Sequence, residues 1–242
     1  MAGKVLDFGT SGLLRFSNLV MYDRQTESWW QEFNGEAIVG DMTGTRLELL
    51  PLSIVSWKEF KSTFPQGKVL SKDTGSRRPY GSNPYSFYDS SSDPFLYGGP
   101  KDRRLPALER VVAIDMGTES LTVPYSVLEK EPIVHYTLAG RDLVVFFKRG
   151  TASTLDKPDI ADGRDVGAVG VFDPVVEGKK LTFRLTDGSI LDDQTGSTWN
   201  LLGKAEAGPL AGQELKPLIY RAAQFWFSWA VFKPDTIIYP DW

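Results

Sequence analysis

The chain writes one unusual phrase twice, and this limits its fold more than anything else in it. Tyr-Asp-Arg-Gln-Thr-Glu-Ser-Trp-Trp at 22–30 returns as Leu-Asp-Asp-Gln-Thr-Gly-Ser-Thr-Trp at 191–199. Asp23, Gln25, Thr26, Ser28 and Trp30 answer Asp192, Gln194, Thr195, Ser197 and Trp199. After one dropped residue, Gly35, Ala37, Gly40, Gly44 and Leu47 answer Gly203, Ala205, Gly208, Gly212 and Leu215. The match extends upstream to Leu6-Asp7-Phe8 against Leu181-Thr182-Phe183, and downstream to Ser56-Trp57 against Ser228-Trp229. Glycine, serine and tryptophan recurring in one order over such a stretch imply an internal duplication. In Asp-x-Gln-Thr-x-Ser the short polar side chains can satisfy the amides of their own turn. The tryptophan that follows is expected to anchor that corner in a core.

The spacing between these marks is that of strands. Gly35, Gly40 and Gly44 sit four or five apart, as turns between short strands require. Leu47, Leu49 and Pro51 alternate with Arg46, Glu48 and Leu50, which predicts a half-buried strand there. Further strands are expected at 110–115, 133–138, 142–148, 168–172, 180–185 and 236–239, with turns at Ala139-Gly140, Glu177-Gly178 and Asp187-Gly188. Ser56-x-x-Glu59 is a capping box, which predicts a two-turn helix ended by Pro65-Gln66-Gly67. Its later counterpart, 228–233, meets Pro234 and has room for little more than a turn, and a third short helix is expected from Pro124. The expected fold is mainly β, built of duplicated short-stranded units, barrel- or sandwich-like, with one to three short helices. The units divide as an abbreviated first unit at 4–72, a long connecting loop at 73–109, and a fuller second unit at 110–242, within one compact domain. That loop is dense in Tyr, Pro, Gly and Ser, and its aromatics are expected to pack it across the junction of the units.

Composition narrows function mainly by exclusion. A net charge of -4 over 242 residues carries no basic footprint, which argues against nucleic acid as a partner. No apolar run reaches the roughly 20 residues that span a bilayer. The opening residues lack a signal-peptide core and run into a strand-like segment, so the start reads as a trimmed one. With no cysteine there is no disulfide, thiolate metal site or thiol nucleophile. His135 is the single histidine, in an apolar alternating strand, and no Gly-x-Ser-x-Gly elbow accompanies it, so it reads as a strand residue rather than a catalyst. Nothing in the pattern asks for a cofactor.

Several stretches resemble the bacterial family catalogued as domain of unknown function 3179. They include Phe-Gly-Thr-Ser-Gly-Leu-Leu-Arg-Phe-Ser-Asn-Leu-Val at 8–20, Asp-Thr-Gly-Ser-Arg-Arg-Pro-Tyr-Gly-Ser-Asn-Pro-Tyr at 73–85, and Ile-Ala-Asp-Gly-Arg-Asp-Val-Gly-Ala-Val-Gly-Val-Phe-Asp-Pro at 160–174. The resemblance covers essentially the whole chain. It implies architecture but no activity, and an extracytoplasmic location, because family members often carry an export signal. They usually open with a Cys-Pro-x-Cys segment shortly before the position of Lys4. The counterpart of that segment in the second unit, from Arg110 to about Thr151, has no cysteine, and His135-Tyr136 stand where the family often has Asn-Asp.

The most site-like cluster is Arg77, Arg78, Tyr80, Asn83 and Tyr85, joined by Asp23 and Arg24 in the first corner. Guanidinium forks take carboxylates or phosphates, and tyrosine rings stack on flat ligands or sugar faces. The same arginines could instead pin the long loop to nearby acids. Asp159, Asp162 and Asp165 are three apart, which misses the EF-hand spacing, so a turn with Asp162-Gly163 at its apex stands beside an irregular calcium site. The leading functional reading is a non-catalytic domain with a ligand-binding or structural role, its partner a small molecule or glycan. The alternative is a carboxylate-based hydrolase of a carbohydrate-like substrate, using two of Asp23, Glu27, Glu32, Glu36 and Asp192. The protein is expected to be a monomer, with Leu6 and Phe8 buried against residues beyond Arg110; a dimer through an exposed strand edge is the alternative.

Overall fold

The computed structural model describes residues 5–240, so Lys4, where the first unit was expected to start, lies outside the described residues. The fold is mainly β, in several small open sheets. The first is an antiparallel meander of β1 (Phe8–Arg15), β2 (Asn18–Asp23), β3 (Trp29–Gln31) and β4 (Glu36–Val39). Helix α1 (Trp57–Thr63) follows, then β5 (Arg110–Asp115), β6 (Ser120–Pro124), α2 (Tyr125–Leu128), β7 (Ile133–Leu138), β8 (Arg141–Lys148) and β9 (Ala168–Asp173). A hairpin of β10 (Val175–Val176) and β11 (Lys179–Lys180) leads into a second meander of β12 (Phe183–Thr186), β13 (Ser189–Asp192), β14 (Thr198–Trp199) and β15 (Ala205–Ala207). The chain ends with β16 (Lys216–Pro217), β17 (Tyr220–Phe225), α3 (Trp226–Ala230) and β18 (Ile237–Ile238). Strand orders β16-β9-β8-β7 and β17-β5-β6-β18 make two further sheets, with β18 parallel to β6.

Alternating side chains explain how these sheets stack. In β8, Leu143, Val145 and Phe147 enter one core and Val144 and Phe146 another; in β5, Val112 and Ile114 enter the first and Val111 and Ala113 a third. Both central sheets are therefore buried on both faces. The core between them holds Val123, Val134 and Val171. The second meander covers the outer face of β8 and β9 with Phe183, Ile190, Trp199 and Leu215. On the opposite side, Trp226 and Trp229 of α3, together with Phe33 of the first meander, cover β5.

The two meanders carry the same bonds at the same places. Asp23 Oδ1 accepts from Thr26 N at 2.6 Å, and Asp192 Oδ1 from Thr195 N at 2.6 Å. Ser28 Oγ accepts from Met42 N at 3.1 Å, and Ser197 Oγ from Leu210 N at 2.9 Å. Gln25 and Gln194 each accept from the amide of the strand upstream, Asp7 N and Thr182 N. Gly40 and Gly208 have φ of 97° and 93°, and a Cβ on either would press onto the serine of its corner at under 3 Å, so both positions require glycine.

The hairpin turns at Ala139-Gly140, Glu177-Gly178 and Asp187-Gly188 have positive φ at both residues, as two-residue antiparallel turns require. Ser56 caps α1 by accepting from Glu59 N at 3.3 Å, but the Glu59 carboxylate reaches Lys148 at 3.0 Å rather than closing the box. Helix α3 begins at Trp226, so Ser228 lies inside it and donates to Phe225 O at 2.9 Å.

Three expectations need correction. The alternating stretch after Arg46 makes only an isolated bridge, Glu36 to Arg46, and Leu50 and Leu52 are 77% and 65% exposed. Alternation forms a strand only with a backbone partner: the equivalent stretch after the second meander pairs with β9 as β16, while no strand pairs with 47–54 among the described residues. Leu6 and Phe8 are only half-buried, and the Phe8 ring meets Trp30 of its own sheet at 5.5 Å. The loop aromatics do not all dock. Tyr88 and Tyr97 pack on Phe225 and Phe227, whereas Tyr85, Phe87 and Phe95 remain exposed.

Candidate functional site

A groove of about 810 Å³ opens where three segments meet: the entry to α1, the loop at 72–82, and the loop at 151–161. Helix α1 is fixed at both ends, by Glu59 to Lys148 and by Thr63, whose hydroxyl accepts from Asn200 at 3.4 Å. Its first residue, Trp57, then has no core to enter and stays 56% exposed, with its ring stacked on Phe60. Across the groove stands Tyr80, 44% exposed, whose hydroxyl lies 2.8 Å from Thr74 Oγ1.

Loop-to-loop bonds set the opposite wall. Asn83 is buried: its amide N donates to Pro158 O at 2.8 Å, its Nδ2 to Lys157 O at 3.1 Å, and its Oδ1 accepts from Tyr85 N. Ser82 and Asp159 form an isolated bridge, and Ile160 N donates to Gly81 O. Beneath them is a buried ionic knot. Asp89 Oδ2 accepts from Arg110 at 2.7 Å and from Ser153 at 2.6 Å, with Arg164 at 3.4 Å. Burial opposes ionisation of Asp89, but the bonds from Ser153 and Arg110 and the charge of Arg164 outweigh it and hold its pKa below the ordinary value. Asp89 Oδ1 and Arg110 Nε are buried without a partner among the described residues.

The lining of the groove is mixed. Ser82, Thr151 and Thr154 line it, and their hydroxyls make no hydrogen bond among the described residues. Lys72 and Asp159 supply one charge of each sign, and Ile54, Val55 and Ile160 supply apolar wall.

Of the residues singled out from sequence, Tyr80 lines this groove and Asn83 braces its wall. Arg77, Arg78 and Tyr85 are exposed and stand outside its lining. Asp23 and Arg24 belong to the corner of the first meander. Asp23 is fully buried and accepts from Trp30 Nε1 at 2.9 Å, while Arg24 pairs with Asp7 at 3.3 Å. Asp159 accepts from Ala161 N, and Asp165 from the amides of Gly150, Thr151 and Gly167. No group of three or more His, Cys, Asp or Glu side chains placed to hold a metal occurs among the described residues. Sequence reading passed over Trp57, Lys72, Thr151 and Thr154. Trp57 was visible as a helix residue, but nothing in its spacing told that its ring would face outward.

Four of the five acids named for hydrolysis are engaged elsewhere. Asp23 and Asp192 hold the two corners, and bonds from Trp30 and Trp199 and from Thr26 and Thr195 overcome burial and keep both pKa values low. Glu32 accepts from Asn18 at 2.7 Å, Glu36 pairs with Arg46 at 3.1 Å, and Glu27 is exposed at a turn with φ of 56°. His135 Nε2 accepts from Phe183 N at 2.9 Å, tying β7 to β12; partial burial of the ring lowers its pKa, which suits an acceptor nitrogen.

The family model described as protein of unknown function (DUF3179) matches residues 1–236. The chain belongs to this family. No curated protein and no solved structure matches the chain. Family membership therefore adds no activity, and no helix among the described residues is long and apolar enough to cross a membrane.

Proposed function

We propose that this protein is a non-catalytic β domain that binds a neutral, polyhydroxylated ligand, a short glycan, in the groove between Trp57 and Tyr80. The observation that carries this reading is the pair of exposed aromatic residues lining one groove beside hydroxyls that have no protein partner. Sugar rings offer apolar C–H faces for such rings and hydroxyls for such partners. The charges of Lys72 and Asp159 cancel, which favours a neutral ligand over an anion.

The domain reading that accompanies it is an internal duplication, with units at 4–72 and 110–242 joined by the loop at 73–109. The matched corner bonds of Asp23 and Asp192 support it. We take the protein to be a monomer. The register break between Thr10 and Leu13 in β1 interrupts the edge through which a dimer would pair.

Affinity electrophoresis through gels containing soluble neutral polysaccharides tests the binding reading. The wild-type protein is expected to be retarded by at least one of them, and Trp57→Ala with Tyr80→Ala to run free with an unchanged circular dichroism spectrum. Equal retardation of both proteins would move the site elsewhere, and no retardation in any gel would remove the glycan reading.

A further inference from the structure

A second cleft, away from that groove, holds an arginine with no ion pair among the described residues. It lies between the first meander and β17, has a volume of about 420 Å³, and is lined by Phe33, Leu47, Arg221, Trp229 and Phe232 among others. Three cationic side chains reach it. Arg46 is paired with Glu36 at 3.1 Å and Lys233 with Asp115 at 2.6 Å. Arg221 forms no ion pair among the described residues; Glu32 and Asp115 act on it only from longer range.

The Arg221 guanidinium is nonetheless well fixed. It lies over the Phe33 ring at 4.6 Å and donates to the Phe33 carbonyl, so its plane is set before any ligand arrives. One such bond leaves most of its donors free. Beside it, Trp229 is 1% exposed and its indole Nε1–H is buried with no hydrogen-bond partner among the described residues. Trp229 lines the same cleft as Arg221, so its ring is a close reporter of anything that enters there. Leu47, Leu49, Ile219 and Phe232 give the cleft an apolar wall beside the polar Asn34, Asp115 and Tyr220.

We infer that this cleft binds a small monocarboxylate with an apolar body, its carboxylate facing Arg221. The volume suits such a ligand, since small-molecule sites begin at about 300 Å³. No carboxylate of the described residues stands at ion-pair distance from Arg221, and a monoanion in the cleft would supply one. A phosphate dianion would bring excess charge and nothing for the apolar wall. The inference stands apart from the glycan reading, because the two sites share no lining residue.

The test is a titration of ¹⁵N-labelled protein with hexanoate and, separately, with hexanamide, its uncharged counterpart. The indole resonance of Trp229 is identified by its loss in Trp229→Phe. Hexanoate is expected to move that resonance saturably at millimolar concentration, with hexanamide at least about tenfold weaker, and Arg221→Met to weaken hexanoate by at least about tenfold. A Trp229 resonance unmoved by hexanoate to about 50 mM, far above a millimolar dissociation constant, would overturn the inference. Equal binding of hexanoate and hexanamide would also overturn it.

Discussion

The indole Nε1–H of Trp199 donates to Asp192 Oδ2 at 3.0 Å, with both side chains buried. One carboxylate thus gathers the tryptophan, the amides of Thr195 and Ser197, and the Thr195 hydroxyl. The corner is closed by a single charge. In the first meander Asp23 and Trp30 do the same.

Asp192→Ala is expected to leave several buried donors unmet and to destabilise the fold by about 3 kcal/mol. Trp199→Ala should cost about 3–5 kcal/mol, through the cavity left against Phe183. Denaturant unfolding measures both. Because the folded Asp192 and Asp23 carboxyls have lowered pKa values, their stabilisation is complete above the unfolded value of about 3.9 and is lost as pH falls through the folded ones. A loss below about 1 kcal/mol for both variants would remove the corner-anchor role.

His135 gives a separate pH signature. Its folded pKa is lowered, so above the unfolded value of about 6.5 both states are neutral and stability is complete. As pH falls below that value the unfolded chain takes up the proton first, and stability should decline by at most one proton's linkage. As the sole histidine, it should dominate the range from about pH 7 to 5.5. His135→Gln, which keeps an acceptor for Phe183 N, should flatten the slope. An unchanged slope in that variant would contradict this assignment.

How much of this was legible beforehand varied with the range of the interaction. Strands 110–115 and 133–138 were marked by their own content of Val, Ile and Thr, and the Ser56 cap by its own spacing. The Asp-x-Gln-Thr-x-Ser corners were legible because their bonds close within a few residues. The stretch 47–54 alternates as a strand would, yet its conformation depends on a backbone partner, and no strand pairs with it among the described residues. The groove was hidden for the same reason. It exists only because the loop carrying Asn83 bonds to the loop carrying Lys157 and Pro158, more than seventy residues away. Tyr80 was found by its chemistry; Thr151 and Thr154 carried no signal of their own.

The knot at Asp89 should govern that loop pairing. Asp89→Ala strips a buried partner from Arg110 and is expected to cost about 3–5 kcal/mol. Amide exchange should quicken at 83–90 and at 153–164, which bond through this knot, and much less at β5 and β8. Uniform acceleration across the molecule would mean that the knot serves the whole fold rather than the groove wall.

The glycan reading is tested most directly by mapping ¹⁵N–¹H shifts during titration with neutral oligosaccharides retained from the gel assay. The expected result is saturable shifts confined to the Trp57 indole, Tyr80, Ser82, Thr151 and Thr154, absent in Trp57→Ala. Shifts that fall elsewhere, or that persist in Trp57→Ala, would contradict it.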